Sequence, residues 1–254
     1  MTELRVLPSP EALGNDIATK LLDMIERGPR DRFLLGAPTG RTPRPILAAL
    51  AKQLAAKPRD LSRLTLVMMD EYLVPRGEKL AWASRDDSYA CHAFVAREYL
   101  PVLRLPERNV WFPDPDRPDE YETRIADAGG IDFFLLASGA SDGHVAFNQP
   151  GSARDTRTRV VPLSEPTRRD NLKTHPDFGS LDNVPKFGVT VGIGTIASAK
   201  AAAMVVWGPG KRETLRRLRD TKRYDANWPA TIIHEIAAGQ IVADAEAADM
   251  GHRT

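Results

Sequence analysis

The sequence predicts an α/β protein built on a doubly wound, mostly parallel sheet with helices on both faces. Short runs of consecutive apolar residues recur along the chain: RFLLGA (32–37), LTLVMMD (64–70), IDFFLLA (131–137), KFGVTVG (186–192) and AAAMVVWG (201–208). Segments of helical periodicity separate them. The runs are apolar throughout rather than alternating, as expected of strands covered on both faces, and parallel sheets are covered in that way. In such Rossmann-like sheets ligands bind at the carboxyl ends of the strands, so the loops that follow strands carry the functional information.

In chain order, residues 10–27 place Ile17, Leu21, Leu22 and Ile25 at helical spacing. A strand over 32–37 leads to a helix over 43–56, with Thr42 as the expected N-cap and Pro43 suited to the first turn. A strand over 64–70 is followed by an irregular stretch at 74–88 and a helix over 87–99. A short strand near 109–112, a helix over 118–127 and a strand over 131–137 come next. The widest irregular segment, 150–185, separates these from strands 186–192 and 201–208 and a helix over 210–220. A single domain over 1–254 is expected, with a lid segment around 152–182.

Charge and cysteine usage narrow the function class. Lys+Arg number 35 against 34 Asp+Glu, without the basic excess of a general nucleic-acid binder. A chain this long buries roughly three quarters of its unfolded surface and needs no disulfide to fold. Cys91 stands alone, which precludes an intramolecular disulfide and fits a reducing cytoplasm. No apolar run approaches the roughly 20 residues of a spanning helix. The start, MTELRVLPSPEALG, lacks a secretion signal's basic and apolar regions. The expectation is a cytoplasmic protein with neither nucleic acid nor membrane as partner. The residues before the strand over 32–37 are expected to hold one helix and not a DNA-binding domain.

Five strand-end loops can be read. Gly36–Pro43 precedes a helix whose free N–H groups suit a phosphate, although a Gly/Pro loop can also simply start a helix. Met69-Asp70-Glu71-Tyr72 sets two carboxylates at a strand end. On a straight strand they face opposite ways, so one enters the cleft. For the tetrapeptide alone, a capping Asp and a solvated Glu explain as much. The loop 137–151 places Asp142, Gly143 and His144 together, and a carboxylate beside an imidazole suits acid–base work near neutral pH. Gly192-Ile193-Gly194 imitates a dinucleotide fingerprint but lacks the acidic residue such a site uses. Gly208-Pro209-Gly210-Lys211 sets a lysine at a helix start. Cys91-His92 reads as part of a helix with no catalytic partner. The histidines show no metal-ligand spacing, and the basic run over 211–223 reads as a solvated helix face.

Taken in order, these loops resemble the glucosamine-6-phosphate deaminase family, within the wider group that includes 6-phosphogluconolactonases. GAPTGRTP, MMDEY, SDGHVAFNQPGS, PKFGVTVGIGTI, GPGK and, more loosely, WPATIIHE carry the resemblance between residues 10 and 243. HVAFN is similar to the deaminases, where lactonases typically continue with Thr-Ala-Ser-Leu-Phe. The resemblance implies a small phosphorylated amino sugar as substrate and no metal or organic cofactor, and leaves homo-oligomer formation open. It implies Asp70 as the proton-transfer base, His144 as the ring-opening group and Asp142 as its orienting partner. Thr39, Gly40, Arg41 and Thr42 would cradle the phosphate, with Lys211 and with Lys173, which stands where the family usually has arginine. Gln149 stands where the family has glutamate near the catalytic histidine, keeping hydrogen bonding without the charge. Another phosphosugar isomerase, a lactonase, or a non-catalytic phosphosugar binder are the competing expectations.

Overall fold

Alternate residues along the central strands feed two separate hydrophobic layers, which is what a doubly wound sheet requires. The computed structural model describes residues 2–28 and 31–249; Met1, Pro29, Arg30 and 250–254 of the expected domain lie outside the described residues. Chain order is β1 (Glu3–Leu7), α1 (Pro10–Arg27), β2 (Phe33–Ala37), α2 (Arg44–Ala56), β3 (Leu64–Met68), β4 (Asp70–Arg76) and β5 (Lys79–Trp82). Next come α3 (Cys91–Phe94), a π-helical turn (Val95–Tyr99), α4 (Leu100–Leu103), β6 (Val110–Trp111), α5 (Pro118–Asp127) and β7 (Phe133–Leu136). The remainder is β8 (Arg159–Pro162), α6 (Glu165–Thr174), β9 (Phe187–Thr190), α7 (Ile193–Ala197), β10 (Ala201–Val206), α8 (Arg212–Asp220), β11 (Ala238–Asp244) and α9 (Ala245–Ala248).

The central sheet runs β1-β11-β10-β7-β2-β3-β6, with every pairing parallel. Phe33 and Leu35 of β2 pack with α1, α2 and α3, while Leu34 between them packs with the layer that holds α5, α7 and α8. In β7, Phe133 and Leu135 divide from Phe134 and Leu136 in the same way. The first layer depends on a close helix contact. A Cβ on Gly14 of α1 would lie 2.3 Å from the Pro45 carbonyl oxygen of α2, so only glycine allows that approach.

A second sheet, β5-β4-β9-β8, is antiparallel. It corrects three expectations. The strand expected over 64–70 ends at Met68, and after Met69 the chain enters β4, with the Val191 amide donating to the Met69 carbonyl at 2.8 Å. The strand expected over 186–192 is β9, which joins this second sheet rather than the parallel one. An apolar run reports burial and not its pairing partner. The stretches 74–88 and 150–185 are not wholly irregular, since they contain most of the β4–β5 hairpin, β8 and α6.

Smaller differences also have local causes. The helix expected over 87–99 starts at Cys91 and continues to Leu103 through the π-helical turn. Pro101 has no N–H to give the preceding turn, and the Leu100 amide reaches back to the Val95 carbonyl. Thr42 does not cap α2: Pro43 occupies the cap position, without a side-chain hydrogen bond. Strands β1 and β11 also join the sheet. On α8, Arg216 and Arg217 pair with Glu213 on an exposed face, as the basic run suggests. Among the described residues no helix is long and apolar enough to cross a membrane.

Candidate active site

Strand order reverses between β2, which leads outward to β3 and β6, and β7, which leads to β10 and β11. A cavity of about 520 Å³ opens at the carboxyl ends of β2, β3, β7 and β10, where a doubly wound sheet binds its ligands. A larger groove, of about 990 Å³, is flanked by Leu61 and Arg63 at the amino end of β3, away from these loops. Thr39, Gly40, Arg41, Thr42, Asp70 and His144 line the strand-end cavity. Lys173 and Lys211 line it as well. Asp142 and Gln149 are not among its lining residues.

Asp70 opens β4 and is 7 % exposed. Burial, reinforced by the neighbouring Glu71 charge and opposed by a hydrogen bond from Cys91, pushes its carboxyl up to about 7. Glu71 points the other way and is fully buried, so the solvated Glu is not what the fold contains. Its carboxylate accepts from the amides of Tyr72 (2.7 Å), Cys91 (2.9 Å) and His92 (2.8 Å). It also meets His92 Nδ1 at 2.6 Å. Two of those amides are free N–H groups at the start of α3, which a carboxylate satisfies. His92, which stacks on Phe112 at 3.6 Å, therefore has a partner that sequence spacing did not reveal.

His144 is held from behind. Asp142 Oδ1 lies 2.6 Å from His144 Nδ1 and accepts from the His144 amide at 3.1 Å. Asp142 Oδ2 accepts from the Thr167 hydroxyl at 2.8 Å. Burial alone would raise the Asp142 carboxyl, but the bonds and charge of His144, with the Thr167 bond, outweigh it and hold the group down at about 2. The dyad fits only because residue 139 is glycine: a Cβ there would lie 2.2 Å from His144 Nδ1. Asn148 closes the following turn by donating to the Val145 (3.1 Å) and Val191 (2.8 Å) carbonyls.

The opposite end of the cavity is cationic. Gly40 adopts φ +79°, which lets the β2–α2 loop turn beside the N-terminus of α2. Arg41 packs over the Trp207 ring, whose Nε1 donates to the Thr42 carbonyl at 3.2 Å. Lys211 donates to the Ser138 carbonyl. Burial, with Arg41 adding to it against Asp170 and Asp142, lowers Lys211 to about 8. Its loop is fixed by buried Asp244, which accepts from the Gly208 and Ala247 amides. Lys173, with 76 % of its side chain exposed, sits at the rim 3.6 Å from Asp170.

Helix α6 supplies partners absent from the sequence reading. Asp170 Oδ2 accepts from the Ala140 and Ser141 amides at 3.0 Å each and from the Ser141 hydroxyl at 2.8 Å. Ligand atoms of Asp142, His144 and Asp170 lie within 4.8 Å of one another. Gln149 makes its bonds at the junction of β8 and α6. Its Nε2 donates to the Pro162 carbonyl at 2.8 Å, and its Oε1 accepts from the Ser164 amide.

Residues 8–243 match the family described as glucosamine-6-phosphate isomerases/6-phosphogluconolactonase. The chain belongs to that family. Its relatives include the glucosamine-6-phosphate deaminase of Rhodococcus jostii, 34% identical over 84% of this chain and 79% of the relative. The glucosamine-6-phosphate deaminase of Shouchella clausii is 32% identical over 94% of each. Among solved structures, a monomeric glucosamine-6-phosphate deaminase superposes with a TM-score of 0.86 at 28% identity, covering 98% of this chain and 100% of that one. The 6-phosphogluconolactonase of Trypanosoma cruzi gives 0.73 at 18% identity over 99% and 97% of the two chains, a likeness of fold alone. The family resemblance read from the six motifs and the doubly wound α/β class are both borne out.

Proposed function

We propose that the protein converts glucosamine 6-phosphate, or a related hexosamine 6-phosphate, to fructose 6-phosphate and ammonia. The observation that carries this reading is Asp70, a buried carboxylate whose proton affinity lies near neutrality, in the same cavity as the Asp142–His144 dyad. Removal of a proton from carbon needs such a base, matched to the working pH. The sugar's phosphate sits at residues 39–42 with Lys211 and the rim cations Arg41 and Lys173. Binding energy from this remote group holds the reacting carbons in register.

His144 donates Nδ1–H to Asp142, a tautomer assigned from the 2.6 Å contact, and presents neutral Nε2 to the cavity. That nitrogen takes the anomeric hydroxyl proton as the ring opens and passes it to the ring oxygen. Asp70 as carboxylate then removes the C2 proton, giving an enolamine. Return of the proton to C1 makes the ketose imine, to which water adds at C2 with loss of ammonia. Helix α6, within the segment expected to act as a lid, forms one cavity wall through Asp170 and Asn171.

A substrate panel tests the reading. Glucosamine or galactosamine 6-phosphate should yield equal amounts of ammonia and ketose phosphate. No ammonia from either, together with hydrolysis of 6-phosphogluconolactone, would replace it with a lactonase.

A further inference from the structure

The Asp70 carboxylate has a neighbour that the mechanism above does not use. Cys91, the chain's single cysteine, is 1 % exposed and lines the same cavity. Its Sγ lies 3.6 Å from Asp70 Oδ1 and 3.4 Å from Thr39 Oγ1. An ionised carboxylate only accepts hydrogen bonds, so the thiol proton points to Asp70 and the Thr39 hydroxyl is free to donate to sulfur. Among the described residues this thiol is the side-chain donor to Asp70.

Its position is not adjustable. The Cys91 amide is bonded to Glu71, the residue that follows Asp70 on β4, and β4 is registered against β9 through Asp70–Thr190 and Glu71–Val189. Glu71 thus sets carboxylate and thiol at a fixed separation. The titratable groups around Asp70 are Glu71 and Tyr72 on its own strand, Cys91 on α3 and Tyr121 on α5. Burial, with Glu71 and Asp70 adding to it, pushes the Cys91 thiol well up, so it stays protonated as a donor.

We propose that Cys91 is the positioning residue of Asp70, aiming the carboxylate through a deliberately weak S–H donor. The strength of that donor decides the outcome. A strong donor stabilises the carboxylate and makes it a poorer base, whereas no donor leaves it free to rotate. A thiol fixes direction while removing little basicity. The proposal rests on Asp70 acting as the base.

The lone thiol provides an unambiguous probe, because its S–H infrared stretch has a single source. In wild type the band should move to lower frequency as pH rises and Asp70 ionises, and Asp70→Asn should abolish that titration. In deamination assays, Cys91→Ser should move the acid limb of the rate profile to lower pH. Cys91→Ala should move it to higher pH and reduce kcat about tenfold or more, with little change in KM. A merely space-filling cysteine would shift neither limb. An S–H band that ignores both pH and Asp70→Asn overturns the proposal, as do superimposable rate profiles of the three active proteins. A titrating band in a wild type that releases no ammonia would overturn the deaminase reading and leave the thiol–carboxylate bond standing.

Discussion

Gln149 shows how a side chain's partners decide what a substitution means. Both ends of its amide are spent at the junction of β8 and α6, on the Pro162 carbonyl and the Ser164 amide. The glutamate that the resemblance implies for this position would set a carboxylate oxygen against the Pro162 carbonyl, two acceptors face to face. Because the Pro162 bond is exposed to water, Gln149→Glu should lose no more than about 1 kcal/mol of stability in urea unfolding, and gain no deaminase activity. A more active variant of unchanged stability would show that the residue turns toward His144. Asp70, His144, Asp142, Lys211 and the 39–42 loop were legible in the sequence because each falls in a contiguous loop after an apolar run. The partners of Asp70 and Asp142 were not. Cys91 and Thr167 are 21 and 25 residues away, and no local spacing encodes such contacts.

Helix α6 is the element on which the catalytic loop depends. Ser164 caps its start by accepting from the Thr167 amide, Thr167 holds Asp142, and Asp170 gathers two amides and a hydroxyl of residues 140–141. Asp170→Ala leaves those two amides unmatched, a cost of about 1–3 kcal/mol for each that stays out of water. Faster amide hydrogen exchange is expected over 138–144 and 164–174, with a lower kcat. Unchanged exchange in both segments would mean that α6 does not hold the loop. The sequence failed most at this level, and for a physical reason. The central strands announce themselves by unbroken apolar runs, whereas β8 reads RVVP with only Val161 buried, and β4 continues from β3 without a turn residue. Nothing local marks the change of sheet at Met69.

At the scale of the molecule, a net charge of +1 hides a division within one cavity. Arg41, Lys173 and Lys211 gather at one end of the cavity, and Asp70 and His144 line the other. The reversal of strand order between β2 and β7 brings the two ends together, because it opens a crevice into which four strand-end loops project. On the proposed reading the phosphate end and the proton-transfer end come from different loops, so removing the base should leave binding intact. The most direct measurement compares wild type with Asp70→Asn on glucosamine 6-phosphate, following fructose 6-phosphate by NMR and substrate binding by calorimetry. The account predicts that Asp70→Asn binds the substrate and forms no ketose phosphate. Turnover by Asp70→Asn at the wild-type rate would contradict it.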